Sequence, residues 1–353
     1  MSASPHWWGS ALDDDGRGLQ NMLDEFIDAH ELAIADDPDA VAAFVGELAA
    51  LGIWTLGTAE TAGGGGADRT LTAVAFERLG RAWPALGWAA VQAHTAVDVL
   101  AGDGRFADLV EAVHAGAAAV AVADAQSLHV RVQRDGAAIT GTVDRVDAAA
   151  PEPHLLVLFG DGTAALVEPA ALTPHPLRRT GFGGAMTRCV DVDAPAAHVL
   201  TGVDVDAARV RLRLGAAAIA AGIAGAAADA AVAYASDRRQ FGDTLTAIPT
   251  VRKSLMEQTS RAALIMSAVV GAAEDPIQAA AVALHALDGA IDVAAAALQS
   301  HGGYGYLVEY DAERRLRDAV SLRAATDIRG QASTTARTLV GVAPAGINAK
   351  DRG

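Results

Sequence analysis

Residues 297–306 read Ala297-Leu298-Gln299-Ser300-His301-Gly302-Gly303-Tyr304-Gly305-Tyr306, an apolar helical pattern that runs into a glycine pair. Gly302-Gly303 breaks a helix that the spacing starts at Pro276, and Glu309 to Ala325 resumes as another. Upstream, Thr250 to Ala273 carries the same periodicity, and Val205 to about Arg239 predicts one helix of more than thirty residues. Four long helices in succession predict an up-and-down four-helix bundle. Within the first of them Leu214 to Ala228 carries no charge, but this run is shorter than the ~20 apolar residues a membrane span needs. It reads as a helix buried in the bundle, and no membrane span is expected.

Ahead of the bundle the period changes. Leu128, Val130 and Val132 alternate with polar residues, and Asp135-Gly136 marks a hairpin before Ala138 to Val143. Leu155 to Phe159 reads as a buried strand, Asp161-Gly162 as a second hairpin before Ala164 to Val167, and Arg188 to Val192 as a last strand. Earlier still, Leu19 to Ile27, Val41 to Leu51 and Thr70 to Leu79 show helical spacing, with Gly52 as a helix stop and Gly63 to Gly66 as a loop. The chain is therefore expected to be α+β and multidomain. Residues 1–115 form an N-terminal helical domain, 116–203 a middle β domain (sandwich or barrel), and 204–353 the C-terminal bundle.

Composition narrows the function. The net charge of −16 excludes a nucleic-acid binder, which needs a basic face to displace counterions. A single cysteine excludes an internal disulfide framework and the common multi-cysteine zinc sites, and the ten histidines show no metal-ligand spacing. Met1 to Asp15 has neither a basic nor an apolar leader region, so a cytoplasmic protein is expected. Cys189 reads as a small buried strand residue. Trp7-Trp8 reads as a partner contact or a loose tail, and Asp13-Asp14-Asp15 as a solvated run or a helix start.

A second stretch, Tyr234-Ala235-Ser236-Asp237-Arg238-Arg239-Gln240-Phe241-Gly242, precedes the glycine pair, and Glu309-Tyr310 and Arg317-Asp318-Ala319 follow it. Together these motifs, over nearly the whole chain and in this domain order, resemble the acyl-CoA dehydrogenase family. The resemblance implies FAD as cofactor, an acyl-CoA thioester as substrate, and oligomers in which cofactor contacts cross between subunits. It assigns FAD contacts to Arg238, Phe241, Gln299, Gly302 and Gly303. An arginine fork suits phosphate oxygens, and glycines let the backbone approach a cofactor closely.

The reaction the resemblance implies removes an α-proton with a carboxylate while a β-hydride passes to the flavin. Here the chain departs from the family. The position of the usual catalytic Glu is Thr326, whose hydroxyl is too weak a base, and the neighbouring Asp327 is the remaining candidate, against a surface or capping role. A second position used by some members falls near Leu212, among Arg209, Arg211 and Arg213. The family's flavin-contacting stretches are replaced by Ala121 to Ser127 and by Arg145-Val146-Asp147-Ala148, and Pro249 stands where a Gln is common. Contacts offered across the interface are kept, while those of the chain's own pocket are eroded. The expectation is a partner subunit that completes the FAD site of a catalytic paralogue in a heteromer. A self-sufficient homo-oligomer using Asp327, and a flavin-free structural subunit, stand as alternatives.

Overall fold

Asp13 and Asp37 start the first two helices by accepting from the Gly16 and Ala40 N–H groups at 2.8 Å, which satisfies donors that have no partner inside the helix. The structure, a computed structural model, describes residues 6–342. The sequence readings for residues 1–5 and 343–353 lie outside the described residues. Helices α1 (Asp14–Asp28), α2 (Pro38–Ala50), α3 (Arg69–Ala82), α4 (Pro84–Leu100) and α5 (Ala107–His114) form the N-terminal part. Gly52 follows α2 at φ +73°, a left-handed stop that glycine adopts without strain. The spacing analysis left α4 unread for a physical reason. This helix is buried along almost its whole length, so it carries no polar stripe to set a period.

Eight strands follow: β1 (Val120–Asp124), β2 (Val130–Asp135), β3 (Ala138–Val146), β4 (His154–Leu158), β5 (Thr163–Val167), β6 (Leu172–Pro176), β7 (Arg188–Ala194) and β8 (His198–Thr201). They form two four-stranded sheets, ordered β1-β4-β5-β8 and β2-β3-β7-β6. Only β1–β4 is a parallel pair. Inner residues of both sheets, among them Ile139, Val143, Leu155, Val157 and Val190, share one core, which makes the block a sandwich. The hairpins fall at Asp135-Gly136 and Asp161-Gly162 as the sequence predicts. Cys189 differs from its reading: it is half-buried on β7, because its side of the strand faces outward.

The bundle consists of α6 (Val205–Asp237), α7 (Pro249–Gly271), α8 (Pro276–His301) and α9 (Ala312–Thr326). A short hairpin of β9 (Arg239–Gln240) and β10 (Asp243–Thr244) follows α6, and a further helix, α10 (Ile328–Leu339), was not read from the sequence. Helix α6 is the centre of the molecule, packed on α3, α4, α7 and α8. Small residues make this possible: a Cβ at Gly222 would collide with the Glu77 carbonyl, and one at Gly80 with that of Ile219, so α3 and α6 cross backbone to backbone.

By length and apolarity α6 and the stretch Pro276–Tyr306 each suffice to cross a membrane. The most apolar window of α6 is 78% buried against the chain itself, as a core helix is, whereas that of the second stretch is 39% buried. Helix α8 leaves Leu284, Ile291 and Leu298 only partly covered. Trp8 is not a loose tail: its indole N–H donates to Asp229 of α6 at 3.2 Å.

Candidate functional site

Two regions hold the residues singled out by sequence, and they differ in character. The first is an exposed edge at the ends of α6 and α8. Arg238 ends α6, and its guanidinium lies over the Tyr304 ring at 4.7 Å. Among the described residues that guanidinium has no carboxylate or carbonyl partner, so its N–H groups face outward unused. Gly302 follows α8 at φ +56° and ψ −136°, which only glycine adopts freely, and its N–H donates to the Gln299 carbonyl. A Cβ built on Gly302 or Gly303 would meet nothing within 4 Å, so an open cradle lies over the turn. The side chain of Gln299 is exposed beside it.

His301 anchors this turn from beneath. It is buried, its Nδ1–H donates to the Ala297 carbonyl at 2.7 Å, and its ring lies 4.5 Å from that of Tyr234. Tyr310 packs edge-on to Tyr234 at 5.6 Å. The motif tyrosine and histidine thus join two segments nearly seventy residues apart in sequence. Phe241 stands at the tip of the β9–β10 hairpin at φ +56° and is 93% exposed. An apolar ring held out by a strained backbone needs a cover that this chain does not supply.

The second region is where β1, the β3–β4 segment, α6 and the α9–α10 junction meet. It contains Ser127, Arg145, Arg213, Thr326 and Asp327, and it is narrow: the cavity is about 50 Å³. One water requires about 10–15 Å³ of such space, so a few waters fit and a tricyclic flavin ring does not. The chain's own ion pairs fill the volume. Arg209 makes two bonds to Asp124 of β1, at 2.8 and 3.1 Å, with both partners buried. Arg145 pairs with Asp147 at 2.5 Å. Arg213 donates to the Pro276 carbonyl at 3.0 Å and to Thr335 of α10 at 3.2 Å, and burial lowers its pKa.

Thr326 is the last residue of α9, and its hydroxyl donates back to the Arg323 carbonyl at 3.0 Å. Asp327 departs from a surface role, since its side chain is only 12% exposed. Its Oδ2 accepts from the Ser127 hydroxyl at 2.6 Å and from the Leu128 N–H at 2.9 Å, and its Oδ1 lies 3.7 Å from His129 Nε2. The residue sits at φ +43°, ψ +37°, a left-handed conformation that disfavours a side chain. The bonds to the β1–β2 loop offset that strain and tie the middle domain to the bundle. In a cycle of Asp327→Gly and Ser127→Ala, we expect a coupling of about 2 kcal/mol in urea denaturation, as a bond to a charged acceptor gives. Additive losses would show that the contact is incidental.

The sequence missed Asp124, Gln92 and α10. Gln92 donates to the Asp147 carbonyl at 2.6 Å and accepts from the Val122 N–H at 3.0 Å, bracing the same wall. Each of these partners is distant in sequence, so no local pattern marks them.

Comparison with known proteins follows the same division of the chain. The family description "Acyl-CoA dehydrogenase, N-terminal domain" matches residues 13–104, and "Acyl-CoA dehydrogenase, C-terminal domain" matches residues 207–326. A probable acyl-CoA dehydrogenase of Bacillus subtilis, YngJ, is 34% identical over 170 residues, which is 43% of this chain and 44% of that protein. The chain thus spans less than half the length of the curated relatives it matches. Butyryl-CoA dehydrogenase from Megasphaera elsdenii has the same fold, with a TM-score of 0.79 at 22% identity over 94% of this chain and 99% of that one. The Tcur3481-Tcur3483 steroid ACAD has a TM-score of 0.77 at 22% identity over 93% of this chain and 99% of that one.

Proposed function

We propose that this chain, which belongs to the acyl-CoA dehydrogenase family, is a flavoprotein subunit of an oligomeric acyl-CoA dehydrogenase that completes the FAD site of a catalytic paralogue. The reaction of such an enzyme is α,β-dehydrogenation of an acyl-CoA thioester, for which the catalytic paralogue would supply the base that takes the α-proton. When bound, FAD supplies the hydride acceptor; everything else is the work of side chains.

One observation carries this reading, the contrast between the two regions. The exposed edge fits a cofactor reaching in from a neighbouring subunit. Arg238 offers an unpaired planar fork to pyrophosphate oxygens, Gln299 an amide, and Gly302-Gly303 an uncovered backbone. Phe241 would pack on the cofactor or on the neighbour. The chain's own pocket does not fit the flavin ring, because its volume is taken by Arg145, Arg213 and the Asp327 contacts. Nor does it present a free base: Asp327 is engaged by Ser127 and Leu128, and Thr326 is turned into its own helix.

The double designation of the Tcur3481-Tcur3483 steroid ACAD supports a two-chain assembly here. The burial of α6 supports a soluble subunit, and the partly covered outer face of α8 supports a contact within the oligomer. The test is to purify the chain alone and together with an acyl-CoA dehydrogenase paralogue encoded beside it, then record flavin absorption and native mass. Flavin is expected only in the mixture. A lone chain that forms a flavin-bearing homotetramer, bleached by an acyl-CoA, would establish the self-sufficient reading instead. If neither preparation holds flavin, the chain is a structural subunit. In the active mixture, Asp327→Asn should leave turnover unchanged, since the acceptor geometry survives while a base would be lost.

A further inference from the structure

A second cavity lies on the opposite side of α6 from the narrow pocket. Leu212, Arg213 and Ala216 face the narrow one, while Val210, Leu214 and Ala218 line the other, with Ala73 and Phe76 of α3 and Val269 of α7. Its volume is about 740 Å³. That lies inside the roughly 300–1,000 Å³ range of small-molecule sites, which are characteristically apolar with a few placed polar groups.

The wall is braced. Gly57 is fixed between two side chains: its N–H donates to His94 Nε2 at 2.9 Å, and its carbonyl accepts from Arg211 at 3.2 Å. His94 is fully buried, and burial holds its pKa down to about 3, so it stays a neutral acceptor. A Cβ at Gly57 would collide with the Thr72 hydroxyl. The cavity edge therefore does not collapse inward by a side-chain rotation.

The charges at the mouth select the ligand. Arg69 pairs with Glu274 at 2.8 Å, and Arg211 pairs with Asp98. Asp206 pairs with Arg209 at 3.2 Å, outside the cavity lining. Asp68 and Asp204 cap α3 and α6, each accepting a main-chain N–H at 2.9 Å, and the helix dipoles offset their charge. No cation is left to receive a carboxylate or phosphate, and the carboxylates outnumber the two arginines, so anions are disfavoured. Each cap uses one carboxylate oxygen, so the mouth stays net acidic and tolerates a neutral or cationic head group. What remains is an apolar floor with a donor and acceptor pair, Arg211 and Asp98, at one end.

We propose that this cavity binds a largely apolar small molecule that carries no anionic group, with a hydroxyl or carbonyl group directed at the Arg211–Asp98 pair. Every lining residue named belongs to this chain, so the test needs neither flavin nor a partner subunit and does not depend on the proposed function. Isothermal titration of the full chain with 1-decanol, decanoate and decylamine separates the classes. Saturable one-to-one binding of 1-decanol is expected, with decanoate weaker than both 1-decanol and decylamine by at least about tenfold, the effect of roughly 1.4 kcal/mol. Ala207→Trp fills the mouth from an exposed position and should weaken 1-decanol binding by about tenfold while the melting temperature is kept. Ala73→Leu, which fills the floor, should do the same. Absence of saturable 1-decanol binding overturns the proposal. So does decanoate binding as tightly, or unchanged binding in both variants.

Discussion

Arg238→Ala is expected to lower the FAD affinity of the assembled enzyme about a hundredfold, near 2.7 kcal/mol, the scale of losing charge-assisted bonds to a phosphate. The chain spends nothing internal on this side chain. Its one described contact is the Tyr304 ring, at 4.7 Å, which orients the fork without neutralising it. Removing the fork should therefore leave folding and assembly intact and act on the cofactor alone. Equilibrium dialysis of FAD against the apo mixture, with native mass as the control, reads this directly. Arg238→Lys should recover only part of the affinity, because an ammonium keeps the charge but loses the planar pair of donors. Wild-type FAD content in Arg238→Ala would remove Arg238 from the cofactor site. Loss of the oligomer itself would show that Arg238 serves the interface.

Acid should unfold the protein through His94. This histidine is fully buried in α4, with Nδ1–H donating to the Ala90 carbonyl at 2.7 Å and Nε2 accepting from the Gly57 N–H. The Nε2 bond requires the neutral ring, whereas the Nδ1–H bond survives protonation. Burial, opposed by the Ala90 bond, lowers its pKa to about 3 from an ordinary 6.5. The unfolded chain therefore takes up the proton first as pH falls. The stability from the neutral ring is fully present above about pH 6.5 and is lost progressively down to about pH 3, a total of about 5 kcal/mol. Roughly 2 kcal/mol of it should go between pH 7 and pH 5. His94→Gln keeps an acceptor and a donor but cannot protonate. It should be less stable at pH 7, with a visibly flatter pH dependence in urea denaturation. Parallel slopes for the two proteins would place the acid sensitivity elsewhere.

The bundle was legible because its helices carry their boundaries in local chemistry. Asp204 and Asp275 cap α6 and α8, Pro249 and Pro276 open α7 and α8, and Gly302 closes α8. The two hairpins were legible for the same reason, through Asp-Gly turns. Helix α4 and strands β1 and β8 were not, because burial or shortness removes the amphipathic period on which such a reading depends. Helix α10 begins directly after Asp327, whose left-handed backbone breaks α9 without a glycine or proline to announce it.

The candidate site divides in the same way. Arg238, Gln299 and the Gly302-Gly303 pair lie within short motifs at helix ends, where residue type and backbone need coincide, so one sequence suffices to find them. Whether the chain's own pocket is open could not be read there. It is decided by Arg209 meeting Asp124 across 85 positions, by Ser127 meeting Asp327 across 200, and by Arg213 meeting Thr335 across 122. The sequence alone determined the domain order and the helix ends, because those follow from local periodicity and capping, and it marked the residues proposed for a cofactor through a family resemblance. Tertiary structure decided that one region is an exposed cradle and the other is filled, because a cavity's volume depends on which distant side chains converge on it.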